Sequence, residues 1–254
     1  MLIRLLFLIG LVLLFYFTNP VPQDPAYYLF ADSRTLLSVP NFWDVMSNVP
    51  YVFIGIWGLQ VVLKLRKTND DFELGNAYLV FFIGVFLTAF GSGYFHLAPG
   101  DGTLFWDRLP MTIAFSGLFA AVIGEYLSVA AAKRWLPLFL AIGAASVIYW
   151  QWTESRGVGD LRPYAIVQFL PMLAIPAILV VSKRENDIGR YIWLMIASYV
   201  LAKVFEQLDV AIYEGIRIMS GHALKHFASA IGPALLALAL SRRVEQAKAA
   251  RSAA

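Results

Sequence analysis

Residues 76–97 read NAYLVFFIGVFLTAFGSGYFHL, and no Asp, Glu, Lys or Arg interrupts them. An α-helix needs about 17–25 predominantly apolar residues to cross the hydrocarbon core of a bilayer. The stretch is therefore read as a membrane-spanning helix that closes on His96. Comparable runs lie near 2–18, 43–65, 106–130, 136–151, 163–182, 191–213 and 222–241. Composition agrees: 59% of the 254 residues are hydrophobic, 15% are charged and the mean hydropathy is +0.67, far from a soluble domain. The expected fold is an all-α, polytopic integral membrane helix bundle. The run at 136–151 is short, and the flanking Trp135, Trp150 and Trp152 fit an interfacial aromatic belt.

Lys and Arg set the orientation, because cytoplasmic ends and loops carry an excess of them. Thirteen of the 20, among them Lys64, Arg66, Lys67, Lys183, Arg184, Arg242 and Arg243, fall on one set of ends and loops. Both termini are then cytoplasmic, and the end of 76–97 and the starts of 106–130 and 222–241 face the extracytoplasmic side. The first run also has the look of a secretory signal, but YFTNPVPQDPA offers no A-x-A cleavage site, so residues 1–20 are read as an uncleaved anchor. An extracytoplasmic loop over 21–42, a membrane domain over 43–241 and a basic cytoplasmic tail over 242–254 follow. The net charge of +3 is a topology signal, and nucleic acid is not implied. With no cysteine, disulfides, iron–sulfur clusters and thiolate metal ligands drop out.

The three histidines carry the chemistry. His222 and His226, in GHALKHFASAIG, are four apart and so share one face of a helix. His96 adds a third nitrogen if the two segments pack side by side, and the orientation above places all three on one side of the membrane. Three protein ligands that leave a position open is the pattern of catalytic zinc; iron, copper and nickel stay compatible by ligand type. The competing reading is three separate hydrogen-bonded interior histidines.

Ser92 lies one turn before His96, placed to hydrogen-bond a water or an oxyanion, or else to let helices approach between Gly91 and Gly93. Asp107 is placed to move a proton, or to cap a helix that starts with Arg108-Leu109-Pro110. Lys203 and Glu206 read as a structural pair, Asp209 as a partner of a histidine, and Lys225 as projecting to another side of its helix toward the interface or a carboxylate. The connection over 19–42 is long and aromatic, either a cap over the site or a plain connector.

Taken together, GSGYFH, Asp107 with the following LPM turn, and HALKH with Gly232 six residues on resemble the alkaline ceramidases, within a wider superfamily of seven-helix membrane hydrolases that includes the adiponectin-receptor-like proteins. The resemblance runs from about Asn41 to Ser241. It implies a seven-helix catalytic core preceded by one added segment, with zinc on His96, His222 and His226, and Ser92 and Asp107 completing the site. It also implies hydrolysis of the N-acyl bond of ceramide or a related membrane lipid, giving a sphingoid base and a fatty acid. Eukaryotic members bind calcium through an acidic N-terminal cluster that ends in a glutamate before an aromatic pair. Here Asn41-Phe42-Trp43 stands at that place, and a calcium site is not expected, Asp32 and Asn41 being all that is left for a weak one. Arg108 replaces an acid and Lys225 an aromatic residue. Two other classes compete: a receptor-like or regulatory protein that keeps zinc with little turnover, and a transporter or haem protein with axial histidines, which would leave the third histidine unexplained.

Overall fold

The computed structural model describes residues 15, 17–69, 72–182 and 184–253. The anchor expected over 2–18 lies outside them but for its last few residues. Every labelled element among them is helical: α1 (Phe42–Met46), α2 (Val49–Thr68), α3 (Gly75–Leu97), α4 (Asp101–Tyr126), α5 (Val129–Glu154), α6 (Arg162–Val181), α7 (Gly189–Gln207), α8 (Asp209–Ile216) and α9 (Gly221–Ala253). Six spans are long and apolar enough to cross a membrane: α1 continued by α2, then α3, α4, α5, α6 and α9. With α7 they make the seven-helix bundle.

Several expected boundaries move. The run at 136–151 is the middle of a 26-residue helix, and its Trp150 is fully buried rather than interfacial. The segment expected over 191–213 breaks at Leu208 into α7 and α8. Residues 242–253 continue α9 as helix. The expected helix start at Arg108 is corrected to Asp101. PGDG reads as a turn, but Asp101 in the first turn complements the positive end of the helix dipole, and helix continues through TLFW.

The bundle is a ring. Helix α9 packs on α7 and α2, α2 on α3, α3 on α4, and α4 on α5 and α6, while α6 and α7 close it with the least contact. Small residues let the backbones meet, the packing device of helices in lipid. A Cβ on Gly84 would lie 2.3 Å from Ala114 N, and one on Gly117 2.4 Å from Phe81 N, so α3 and α4 interlock at two levels. At Gly91 a Cβ would lie 2.0 Å from the Trp106 carbonyl oxygen. Pro110 lacks the N–H that would otherwise accompany that carbonyl in the helix. Gly232 gives α9 the same closeness to Met195 of α7.

At one end of the ring, Arg243 of α9 meets Glu125 of α4 at 2.6 Å and also pairs with Asp187. Hydrogen bonds from Arg243 hold the Asp187 carboxyl below the usual carboxylate range. Lys133 pairs with Glu73 at this end, and Arg251 donates to the Lys67 carbonyl. The basic loops thus gather opposite the histidines.

Even a methyl group is too large at the α3–α4 crossing. Gly117→Ala is expected to cost about 1–3 kcal/mol, read as a lower melting temperature in detergent. Gly93→Ala, whose Cβ would meet nothing within 4 Å, is expected to leave it unchanged.

Candidate metal centre

The last turn of α3 and the first two turns of α9 bring the three histidines together. Ring centroids of His96, His222 and His226 stand 4.9, 5.0 and 5.0 Å apart, and one nitrogen from each lies within 4.8 Å of the others. All three side chains are buried, His96 to within 1% of full burial. The i, i+4 spacing of His222 and His226 does what helical geometry requires of it.

Polar groups hold the ring of His226 and the backbones of His96 and His222. Ser47 Oγ is 2.7 Å from His226 Nδ1, and Asn48 Nδ2 is 3.4 Å from the same atom, which leaves Nε2 as the ring nitrogen free to ligate. Asn41 Nδ2 donates to the His96 carbonyl at 2.8 Å. Asp209 Oδ1 accepts from the His222 backbone N–H at 2.7 Å, and Oδ2 from that of Ala31 at 3.2 Å. Asp209 is therefore a partner of the histidine's backbone, not of its ring. Asp44, fully buried at the head of the α1–α2 span, accepts from Ser220 at 3.2 Å, and its other oxygen has no hydrogen-bond partner among the described residues. Asp44, Ser47 and Asn48 were not singled out by the sequence, although three polar residues at i, i+3 and i+4 opening an apolar run mark one buried helical face.

The long connector lies over the site. Phe30 sits 4.8 Å from His96 and 5.0 Å from His222, ring centre to ring centre, so the capping reading of 19–42 fits its position. Tyr28 donates to Asp101 at the head of α4. Partial burial first, and then the Asp101 carboxylate it donates to, push the Tyr28 phenol well above the ordinary tyrosine value, and it stays a protonated donor. Asp32 is held by Arg34 at 2.7 and 2.8 Å, while Asn41 serves His96.

Asp107 and Ser92, each less than a tenth exposed, face one another and line the same cavity of about 940 Å³ as the three histidines. Asp107 sits well inside α4 and cannot cap it. Lys203 meets Glu206 at 2.5 Å, as expected of the pair. Lys225 finds a carboxylate, as expected, but does not project to another side of the helix from the histidines. It reaches Glu206 at 3.2 Å, but its ammonium also lies 2.9 Å from His222 Nε2, because residues three apart on a helix share a face.

The donor set fits a metal ion. Three buried imidazole nitrogens converge, His96 Nδ1 has no hydrogen-bond partner among the described residues, and carboxylates stand near. Among the described residues Lys225 is the contact at odds with a cation between the rings, and Glu206 holds it from its other side. A family model described as Ceramidase matches residues 35–248, and the chain belongs to that family of ceramide-hydrolysing enzymes. No curated protein matches it.

Removing a group that orients a metal ligand typically weakens metal binding about 10–100-fold. Ser47→Ala is expected to do so, measured by competition with a chromophoric chelator. Unchanged affinity would mean that Ser47 has no hold on His226 as a ligand.

Proposed function

We propose that this member of the ceramidase family is a zinc-dependent membrane amidase that cleaves the N-acyl bond of ceramide or a related sphingolipid into a sphingoid base and a fatty acid. The observation that carries the reading is the convergence of His96, His222 and His226 in a cavity shared with Asp107 and Ser92. The three histidines are the ligands, and the chemistry zinc supplies in such a site is Lewis acidity, polarising a carbonyl and acidifying water. Asp107 takes the proton of the attacking water and passes it to the amine nitrogen as the C–N bond breaks. Ser92 donates its one hydroxyl proton to the Asp107 carboxylate and turns it to the carbonyl oxyanion once Asp107 has taken a proton. Phe30 and the connector keep bulk water away.

The cavity supports a lipid substrate. Much of its wall is apolar and comes from α6 and α7, including Phe169, Met172, Ile192 and Ile196. The two helices that touch least thus flank a route from the bilayer to the histidines. Residues 43–241 are read as the catalytic membrane domain, with 1–20 as its anchor and 242–254 as a basic tail. The site is read as extracytoplasmic and both termini as cytoplasmic; the basic side chains gathered at the opposite end support this orientation. The family match gives the receptor-like alternative no support.

Purified protein is expected to carry stoichiometric zinc by mass spectrometry and to release fatty acid from a short-chain ceramide, with both lost in His222→Ala. Hydrolysis without metal, or protein without zinc, would overturn the reading. Asp107→Asn is expected to keep its zinc and to lower kcat by about 10²–10⁴-fold; an active Asp107→Asn would remove that residue from the proton path.

A further inference from the structure

Arg108 follows Asp107 in α4, lines the same cavity and is only 7% exposed. Its guanidinium carbon lies 4.2 Å from the ring centre of Trp150 and 4.9 Å from that of Tyr164. Its Nη2 donates to Gln23 Oε1 at 2.5 Å. Its Nη1 has no hydrogen-bond partner among the described residues. The other two cations lining the cavity, Lys203 and Lys225, both pair with Glu206. Arg108 forms no ion pair among the described residues.

A guanidinium removed from water without a counter-ion is a costly arrangement. Two aromatic faces and a neutral amide offset only part of that cost. A purely structural role, anchoring the connector through Gln23, uses Nη2 and the ring faces. It leaves the charge and the Nη1 donors without a purpose, and a neutral side chain would pack between the two rings at less expense.

We propose that Arg108 is the specificity-determining residue of this cavity and that the lipid it selects carries an oxyanion, a carboxylate or a phosphate, on the amine side of the scissile amide. The planar fork of an arginine matches such groups through paired N–H donors. Its place next to Asp107 sets the charge in the head region, while the apolar wall from α6 and α7 takes the tails. Four carboxylates line the cavity: Asp209 is engaged by two backbone N–H groups and Glu206 by two lysines, Glu214 is exposed, and Asp107, next to Arg108 and bonded by Ser92, is the proton carrier of the reaction proposed above. The reaction is the amidase reaction proposed above, but the selection of the head does not depend on turnover.

The test uses the full-length, zinc-loaded protein with two matched pairs of lipids: palmitoyl ceramide with its 1-phosphate, and N-palmitoylethanolamine with N-palmitoylglycine. Wild type is expected to favour the anionic member of at least one pair by about tenfold or more in kcat/KM, about 1.4 kcal/mol, and the favoured pair tells phosphate from carboxylate. Arg108→Gln is expected to bring that ratio close to one. Arg108→Lys, which keeps the charge but not the fork, is expected to retain part of it and carries the test should Arg108→Gln melt well below wild type. If neither pair shows a preference, or if both variants lower the two members of a pair alike, the proposal is overturned while the amidase reading stands. If no lipid is cleaved, the amidase reading falls, and equilibrium binding of the same pairs decides the proposal. Anionic preference lost in the variants supports it, and equal binding of both members overturns it.

Discussion

Three imidazoles buried within about 5 Å of one another are the constraint on which this structure depends. Each ring brings a basic nitrogen into a place with little water, and buried polar atoms cost free energy unless they are partnered. The rings come from helices far apart in the chain. Helices α3 and α9 are bridged by α1, a five-residue helix that packs on both. Asn41, in the left-handed region at φ 46°, turns the chain into α1 and gives its amide to His96, a conformation that asparagine adopts more readily than most residues. Asp44, Ser47 and Asn48 then reach toward α9. The short helix is the joint that makes the three-histidine cluster geometrically available.

The opposite end is held by charge. Glu125 accepts from Tyr78 at 2.6 Å, from Asn186 at 2.7 Å and from Arg243 at 2.6 Å, so α3, α4, the α6–α7 loop and α9 meet on one carboxylate. Between the two ends the packing is mainly apolar, the buried Thr112, Ser116, Ser146 and Ser198 bond back to carbonyls of their own helices, and glycine lies opposite backbone where α3 crosses α4. Polar groups fix the ends of the helices while close packing fixes their spacing. The arrangement needs no polar group exposed to hydrocarbon midway, which lipid would penalise heavily.

Much of this was legible in the chain. Runs of apolar residues longer than about 17 leave little choice but membrane helices, and the i, i+4 pair with His96 on the same side foretold the cluster. What escaped had physical causes. The start of α4 hid behind PGDG because turn-forming residues also suit a helix N-terminus when an acid leads it. Trp150 read as interfacial because tryptophan favours the membrane boundary, yet here it stacks beneath Arg108. Lys225 was read correctly as reaching a carboxylate but not as touching His222, although residues three apart share a face, since a lysine beside a histidine that could ligate a metal runs against electrostatic expectation. Asp44, Ser47 and Asn48 went unread because each is individually ordinary; only the burial of all three on one face reveals them.

The break at Leu208 determines how anything can reach the histidines. Had α7 continued straight, Asp209 would not stand where it now accepts from both His222 and Ala31. Those two bonds tie α8, α9 and the connector into one cover. With Phe30 against the rings from the same side, the route along the helix axes is obstructed. Between α6 and α7, the ring neighbours with the least contact among the described residues, the cavity lining is apolar, as the sideways approach proposed above requires. Leu173, Val180 and Val181 of α6 point outward at 74%, 72% and 78% exposure, as residues bathed in lipid tails do. A water-soluble substrate would gain nothing from such a path, because it would have to shed its hydration in the bilayer first. A lipid already there pays no such penalty, which is why a sideways route suits the membrane lipid substrate that the family implies.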